Sequence, residues 1–330
     1  MCDLTIIMPS YNKEKYIGEA LDSIFMQKTN YSYKIIVADD CSSDSTVEIV
    51  KEYQKKYPNV ITLLTSETNQ KLYRNVLRAY EITKSDYFCV LDPDDYWISD
   101  SKIQNSLDFL ENNKDYTIYV TDTDMLLPNG KTKKFIRRKN VVDYDFNDLL
   151  KGKALLGCTL GSMFRNVIFK DGVPKKMLDF SNPTIEQSYR GDTFRSIIHL
   201  HEGKAHCVPC VDAIYRSTPE GLWQGISSLN QNVASVIINK DMWLYFDKKY
   251  YQFINRAKIK LSKIKNDDVF LELCNQKSLE EGLEIIKKIA ALEEWFKKYT
   301  NEPINIPFKY KIWLYTCKFI EKNLKKCDIC

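Results

Sequence analysis

The chain has 330 residues, 44% of them hydrophobic and 28% charged, with a formal net charge of +4. This is the balance of a globular protein, long enough for one large α/β domain with an appendage or for two domains. So slight a positive excess argues against a general nucleic-acid binder. No apolar run approaches a membrane span, and Met1-Cys2-Asp3 leads straight into a strand pattern. No secretory leader is therefore expected, and the ten cysteines are expected as reduced thiols in the cytoplasm.

Residues 4–9 form a short apolar strand pattern, followed by the polar loop Ser10-Tyr11-Asn12-Lys13. Helical spacing begins near Glu14, with Ile17, Leu21, Ile24 and Phe25 on one face. Residues 33–38 are a second apolar strand, ending in Asp39-Asp40-Cys41-Ser42-Ser43-Asp44. Val47, Val50, Tyr53 and Tyr57 mark the next helix, residues 60–65 the third strand, and Leu72, Val76 and Tyr80 a third helix. A fourth strand, residues 86–91, runs into Asp92-Pro93-Asp94-Asp95-Tyr96-Trp97. Strand and helix alternate four times, and the strands are continuously apolar, so both sheet faces are covered. The reading is a doubly wound, mainly parallel α/β sheet.

In such a sheet, ligands bind at the carboxyl ends of the strands where the strand order reverses. Residues 10–14, Asp39 with Asp40, and Asp92, Asp94 and Asp95 all fall at carboxyl ends. Like charges crowded at a strand end repel one another and lose hydration unless a partner offsets them. A divalent cation is a fitting partner, because carboxylates are the hard oxygen ligands that Mg²⁺ and Mn²⁺ prefer. The alternative is a solvated acidic turn. No Gly-x-Gly follows the first strand, which excludes a dinucleotide-binding loop.

Further along, Asp100-Ser101-Lys102 starts a helix with Ile103, Leu107 and Leu110 inward, and residues 117–121 are another strand. The stretch 135–144 is basic and matches no element pattern. Residues 157–165 read as a strand whose glycines allow close approach of a ligand or of backbone. Gly191-Asp192 opens a helix with Phe194, Ile197 and Ile198 inward, where Asp192 is a natural cap. His199 and His201 cannot share a helix face; His201 or His206 as a metal ligand is weighed against a partly buried structural role. Cys207/Cys210 and Cys327/Cys330 are two Cys-x-x-Cys pairs too far apart for the usual zinc spacing.

From about residue 227 only helical spacing remains, over 233–245, 251–264 and 278–299, with a capping box at Ser278 and Glu281. A last helix, about 308–326, sets Ile312, Trp313, Phe319, Ile320 and Leu324 against Lys311, Lys318, Lys322 and Lys325. Such a helix can lie on an anionic membrane surface, dock on its own domain or form a dimer contact. The domains are expected as 1–222, catalytic, and 223–330, helical.

Three segments, Ile6-Ile-Met-Pro-Ser-Tyr-Asn12, Ile35-Ile-Val-Ala-Asp-Asp-Cys-Ser-Ser-Asp44 and Leu91-Asp-Pro-Asp-Asp-Tyr-Trp97, resemble the signature segments of family 2 glycosyltransferases with the GT-A fold. The resemblance covers roughly the first 125 residues well and continues weakly to about 216. It implies an inverting transferase that takes a nucleotide-sugar donor, UDP-sugar first among them. Pro9, Tyr11 and Glu14 would lie along the nucleoside, Asp40 with Asp39 beside it would meet the base edge, and Arg74 the base or diphosphate. Asp92 and Asp94 would form the Asp-x-Asp element, Asp94 as direct ligand of Mn²⁺ or Mg²⁺ and Asp92 nearer the ribose, with Asp95 adjoining the donor. Asp192 would be the catalytic base, with Glu186 as its alternative. Arg216 would reach the diphosphate and Trp223 would cover the site, while Thr218 stands where many relatives carry a His. Cys41 replaces a usual glycine. The acceptor implied is a surface glycan or lipid-linked saccharide at the inner face of the cytoplasmic membrane; a homo-oligomer stays open. The rivals are a nucleotidyltransferase and a non-catalytic nucleotide-sugar-binding scaffold of the same fold.

Overall fold

The computed structural model describes residues 2–182, 184–189, 191–218, 228–264 and 279–300. The chain divides into two compact units, Met1–Gln224 and Gly225–Cys330.

The first unit opens with β1 (Leu4–Ser10), α1 (Ile17–Phe25), β2 (Tyr33–Asp39), α2 (Thr46–Lys56), β3 (Ile61–Leu64), α3 (Lys71–Glu81) and β4 (Tyr87–Val90). β1 and β4 are buried at every residue, as their unbroken apolar runs require. α1 turns Ile17, Ala20, Leu21 and Ile24 inward, and these join Leu4, Ile6, Met8, Val37 and Leu91 in one core cluster. Each such aliphatic side chain contributes about 1.5–3 kcal/mol on leaving water. Trp97 belongs to the same core, its indole N–H donating to the Leu160 carbonyl at 3.3 Å.

β5 (Tyr96–Trp97), α4 (Lys102–Asn112), β6 (Tyr116–Leu126), β7 (Thr132–Ile136), β8 (Val142–Tyr144), α5 (Phe146–Leu150), β9 (Ser162–Arg165), α6 (Ile185–Ser188), α7 (Asp192–Glu202) and β10 (Lys204–Arg216) follow. The strands form one sheet in the order β3-β2-β1-β4-β9-β6-β10-β5, with β7 beside β6 and β8 beside β10. β3, β2, β1 and β4 are parallel neighbours, as are β6 and β10; β9 enters antiparallel between β4 and β6. β1 is followed on one side by β2 and on the other by β4, so the order reverses there. The crevice beyond the ends of β1 and β4 is the topological switch point.

Three local differences from the sequence reading have physical causes. α1 begins at Ile17 rather than near Glu14, because the Glu14 carboxylate leaves to accept from the Ser45 N–H at 3.0 Å. The basic stretch 135–144 supplies part of β7, which is exposed, and all of β8, which is half-buried; both are short, with no apolar period to betray them. Residues 157–165 are a left-handed Gly157, a single tight turn at Thr159–Gly161 and then β9. A Cβ on Gly161 would sit 2.7 Å from the Thr121 carbonyl oxygen, so its glycine answers to backbone approach.

The second unit contains α8 (Ser228–Tyr245), α9 (Tyr251–Ser262) and α10 (Leu279–Thr300). α9 buries Phe253, Ile254, Ala257 and Leu261, and α10 buries Ile289, Leu292 and Phe296, each set at helical spacing. No helix among the described residues is long and apolar enough to cross a membrane. Ser278, Trp223, Cys327, Cys330 and the basic helix expected at 308–326 lie outside the described residues.

Candidate functional site

β4 delivers the acidic segment to the crevice. Leu91 still donates to the Ile7 carbonyl at 2.9 Å, and the chain then turns, with the Asp95 N–H on the Asp92 carbonyl at 2.9 Å. Asp95 is buried, and its Oδ1 accepts from the Arg216 N–H at 2.8 Å. Burial, then the charges of Asp92 and Asp94, push the Asp95 carboxyl well above its usual range. Asp92 is pushed up to about 7, chiefly by burial and next by Asp94; Arg195 opposes the rise and Asp192 adds to it. Asp94 meets Lys13 across the crevice, Nζ to Oδ2 at 2.5 Å. The Arg216 Nε donates to the Asp94 carbonyl at 3.0 Å, and its far nitrogen pairs with Glu19. Tyr16 and Tyr96 flank the guanidinium at 5.2 and 5.1 Å from their ring centres.

α7 brings a fourth carboxylate. Gly191 is the N-cap and Asp192 the first helical residue, so Asp192 sits at the positive end of the helix without capping it. Its Oδ1 accepts from the Thr193 N–H at 2.7 Å. One turn on, Arg195 is buried beneath the acidic rim. Its Nη1 donates to the Tyr80 hydroxyl at 2.8 Å and its Nη2 to Thr159 Oγ1 at 3.3 Å, while Nε has no partner among the described residues. Burial works against the Arg195 charge, but Tyr80, Asp192 and Asp92 more than offset it. Glu186, on α6, is instead committed to the Arg74 Nε at 2.8 Å.

The remaining expected donor residues divide into two groups. Tyr11 is 47% exposed just past β1, and Asp40 is buried with Oδ1 accepting from the Gln70 N–H at 2.6 Å. A cavity of about 410 Å³ opens beside it, lined by Thr65, Ser66, Gln70, Arg74, Arg78 and Phe180 among others, with the Arg74 guanidinium 4.0 Å from the Phe180 ring centre. Pro9, Glu14 and Asp39 are occupied by local structure. Pro9 is buried opposite Ala38; Asp39 accepts from the Ser42 N–H at 2.9 Å and its hydroxyl at 2.5 Å; Glu14 ties the first loop to the start of α2.

None of the three histidines joins the rim. His199 is buried among Phe88, Phe164 and Phe169 with Nδ1 at 2.7 Å from the Arg195 carbonyl; His201 pairs with Glu202; His206 stacks on Phe109 and meets Asp143 at 2.6 Å. Cys207 is buried and Cys210 exposed on β10. Among the described residues no group of three His, Cys, Asp or Glu side chains is arranged to chelate a metal ion. Two crevice carboxylates still fit a hard divalent cation, which is commonly held by one or two carboxylates together with substrate phosphates. The sequence reading gave Lys13, Glu19 and Arg195 no role. Arg195 did carry a signal: a cation amid the inward residues Phe194, Ile197 and Ile198.

The fold is GT-A. Residues 1–349 of TarS from S. aureus, in complex with UDP-GlcNAc, overlay with a TM-score of 0.58 at 17% identity, covering 88% of this chain and 81% of that one. The family model for glycosyl transferase family 2 matches residues 5–172, and the chain belongs to that family. The uncharacterized protein Rv1520 of Mycobacterium tuberculosis is 25% identical over 221 residues, 67% of this chain and 60% of that one. TuaG of Bacillus subtilis, named for teichuronic acid biosynthesis, is 29% identical over 157 residues, 47% of this chain and 59% of that one. The matches thus span about 60% of the length of these relatives.

Proposed function

We propose that residues 1–222 catalyse inverting transfer of a hexosyl or N-acetylhexosaminyl group from a UDP-sugar to a hydroxyl of a glycan or lipid-linked acceptor during surface-polysaccharide synthesis. The observation that carries this is the meeting of separate chain segments at the switch point: Lys13 on Asp94, with Asp192 close enough to raise Asp92. The UDP-GlcNAc complex of a protein of like fold and the name of TuaG support the donor and the glycan class.

Asp192 accepts the acceptor hydroxyl proton as that oxygen attacks the anomeric carbon. The bond to the UDP oxygen breaks on the opposite face, so configuration inverts and no covalent enzyme intermediate forms. Asp94 with Asp92 would hold Mn²⁺ or Mg²⁺, which when bound offsets charge on the departing diphosphate. Asp40 takes the base edge in the cavity lined by Arg74. Tyr11 offers its exposed ring to the nucleoside. Pro9, Glu14 and Asp39 shape the loops that hold it, while Asp95 and Arg216 fix the acidic turn. The helical part, 223–330, carries the basic segment expected at 308–326, through which the cytoplasmic enzyme would meet the inner face of the cytoplasmic membrane.

Asp192→Asn is the test. Transfer is expected to fall by about 10²–10⁴-fold, while UDP-sugar with Mn²⁺ still raises the melting temperature. Near-normal transfer by Asp192→Asn would overturn the base, and no shift with any nucleoside diphosphate would overturn the donor class.

A further inference from the structure

We propose that β7 and its flanks form a cationic strip that binds the acceptor, and that this acceptor is a polymer bearing regularly spaced negative charges. The inference rests on the transferase reading and names the substrate class that reading leaves open. Residues 131–139, Lys-Thr-Lys-Lys-Phe-Ile-Arg-Arg-Lys, contain six cations and no acid. The two arginines are used internally: Arg137 pairs with Asp124 at 2.7 Å and Arg138 with Asp122 at 2.5 Å, both on β6. Arg138 also donates to the Leu155 carbonyl at 2.6 Å. The lysines are displayed. Lys131, Lys133, Lys134 and Lys139 are exposed, and none has an ion pair among the described residues.

The strip is joined to the catalytic rim. Thr132 and Arg216 are both register partners of Leu126, so β7 lies two strand spacings, roughly 10 Å, from Arg216. Arg216 is the residue that grips the Asp94 carbonyl and the Asp95 carboxylate. Phe135, 44% exposed amid the lysines, stacks on Tyr215 with ring centres 5.3 Å apart. An extended strand showing lysines around an aromatic ring suits a linear glycan: the ring packs on sugar C–H faces and the ammonium groups meet its anions.

Edge strands often carry lysine simply to block pairing with another chain. This chain does not protect its other edges that way: β3 is Ile-Thr-Leu-Leu, β5 is Tyr-Trp and β8 is Val-Asp-Tyr. A blocking role would also leave no reason to display Phe135. The tie to the Arg216 strand favours an acceptor over a membrane surface, which need not approach the rim.

The experiment uses the full chain and three labelled probes, inorganic polyphosphate, polygalacturonate and neutral dextran, followed by fluorescence anisotropy at several salt concentrations. Vesicles of phosphatidylglycerol and phosphatidylcholine form a fourth arm. The wild type is expected to bind one or both polyanions, more weakly as salt rises, and not dextran; which polyanion binds tighter separates phosphate from carboxylate acceptors. The triple variant Lys131→Gln/Lys133→Gln/Lys134→Gln should lose about tenfold in affinity, and the triple Lys→Arg variant should retain it. Phe135→Ala should weaken polygalacturonate and spare polyphosphate. Unchanged polyanion binding by the glutamine variant overturns the proposal, as does strip-dependent binding of vesicles without binding of polyanions. The UDP-sugar thermal shift with Mn²⁺ is measured alongside. It should be equal in wild type and glutamine variant, so its absence from both marks failure of the transferase reading, not of the strip.

Discussion

Two buried charge clusters in the first unit are built on opposite plans. In one, Lys102 Nζ from the start of α4 donates to Asp212 Oδ1 and to Thr121 Oγ1, both at 2.9 Å, and the Thr121 hydroxyl donates to the same carboxylate at 2.6 Å. One cation, one anion and one hydroxyl satisfy each other. In the other, Asp92, Asp94, Asp95 and Asp192 face Lys13, Arg195 and Arg216 among the described residues, and Arg216 also serves Glu19. Burial first, and the neighbouring carboxylates next, raise the Asp92 and Asp95 carboxyl groups there, although Asp95 accepts from the Arg216 N–H. A cluster that closes its own charges supports the fold; one that leaves a surplus is a place for a positive ligand or a transferred proton.

The sharpest break of this comparison is Lys102→Met. Removing one partner of a buried pair strands the other, at a cost of about 3–5 kcal/mol. The urea midpoint of the full chain should fall accordingly, and restoring a neutral pair with Asp212→Leu should recover most of the loss. If the single variant unfolds where the wild type does, the closed cluster is no structural support. At the rim the same kind of change should run the other way. The Asp92 carboxyl titrates at about 7 in the folded protein, above the usual 3.8, so it is destabilising once ionised and its penalty grows as pH rises through that span. Asp92→Asn should therefore raise stability at pH 8 by about 1–2 kcal/mol, discounted for the group's partial exposure, while transfer declines. A loss of stability would show that the rim's charges are already matched.

His199 sharpens the comparison with a third solution, a buried group that stays uncharged. Burial pushes its imidazole down to about 3 from 6.5, with the Arg195 charge adding to the fall against the pull of the Arg195 carbonyl. Between those values the unfolded chain binds a proton that the folded chain refuses, so stability drops as pH is lowered through 6.5. The slope is up to about 1.4 kcal/mol per pH unit. Urea midpoints from pH 7 to 5.5 should decline less steeply in His199→Leu than in the wild type. Parallel slopes would mean that the imidazole is not held neutral.

How far each cluster could be read beforehand follows from how its members are strung along the chain. Asp92, Asp94 and Asp95 are adjacent at the end of an apolar run, and β1, β2 and β4 are continuous hydrophobic strands, so the sheet and its acidic edge were legible from local pattern alone. Lys13 and Asp94 lie 81 residues apart, and Lys102 and Asp212 lie 110 apart. Nothing in local spacing separates the pair that closes from the pair that waits; only the strand order does. Arg195 was hidden by its neighbours, because an apolar helix face draws attention to Phe194 and Ile198 rather than to the cation between them. β5, β7 and β8 were illegible for another reason. β5 and β8 are two and three residues long, too short to show a period of two, and β7 is exposed along nearly all its length, so it has no core face to impose one.

The contrast extends from charge to backbone, where the smallest effect is expected. Three of the six left-handed non-glycine residues among the described residues lie in the rim loops: Asn12 after β1, Cys41 after β2 and Lys71 at the start of α3, with φ of 51°, 65° and 69°. Asparagine tolerates this region, but cysteine gains nothing from it beyond a weak Sγ contact with the Glu67 carbonyl at 3.4 Å. The conformation costs a residue with a Cβ about 1–2 kcal/mol, and glycine would give back roughly 0.5–1 kcal/mol of that in unfolded-state entropy. Cys41→Gly should thus stabilise by about 0.5 kcal/mol, a rise of about 1–2 °C in melting temperature for a unit of this size. Transfer should stay unchanged, since Asp39 holds the turn through Ser42 and Asp40 is held by Gln70 without help from residue 41. A lower melting temperature would show that the thiol contact outweighs the strain. A stabilised protein with slower transfer would show that the strained turn sets the position of Asp40, and that the open cluster stores strain in its backbone as well as surplus charge in its side chains.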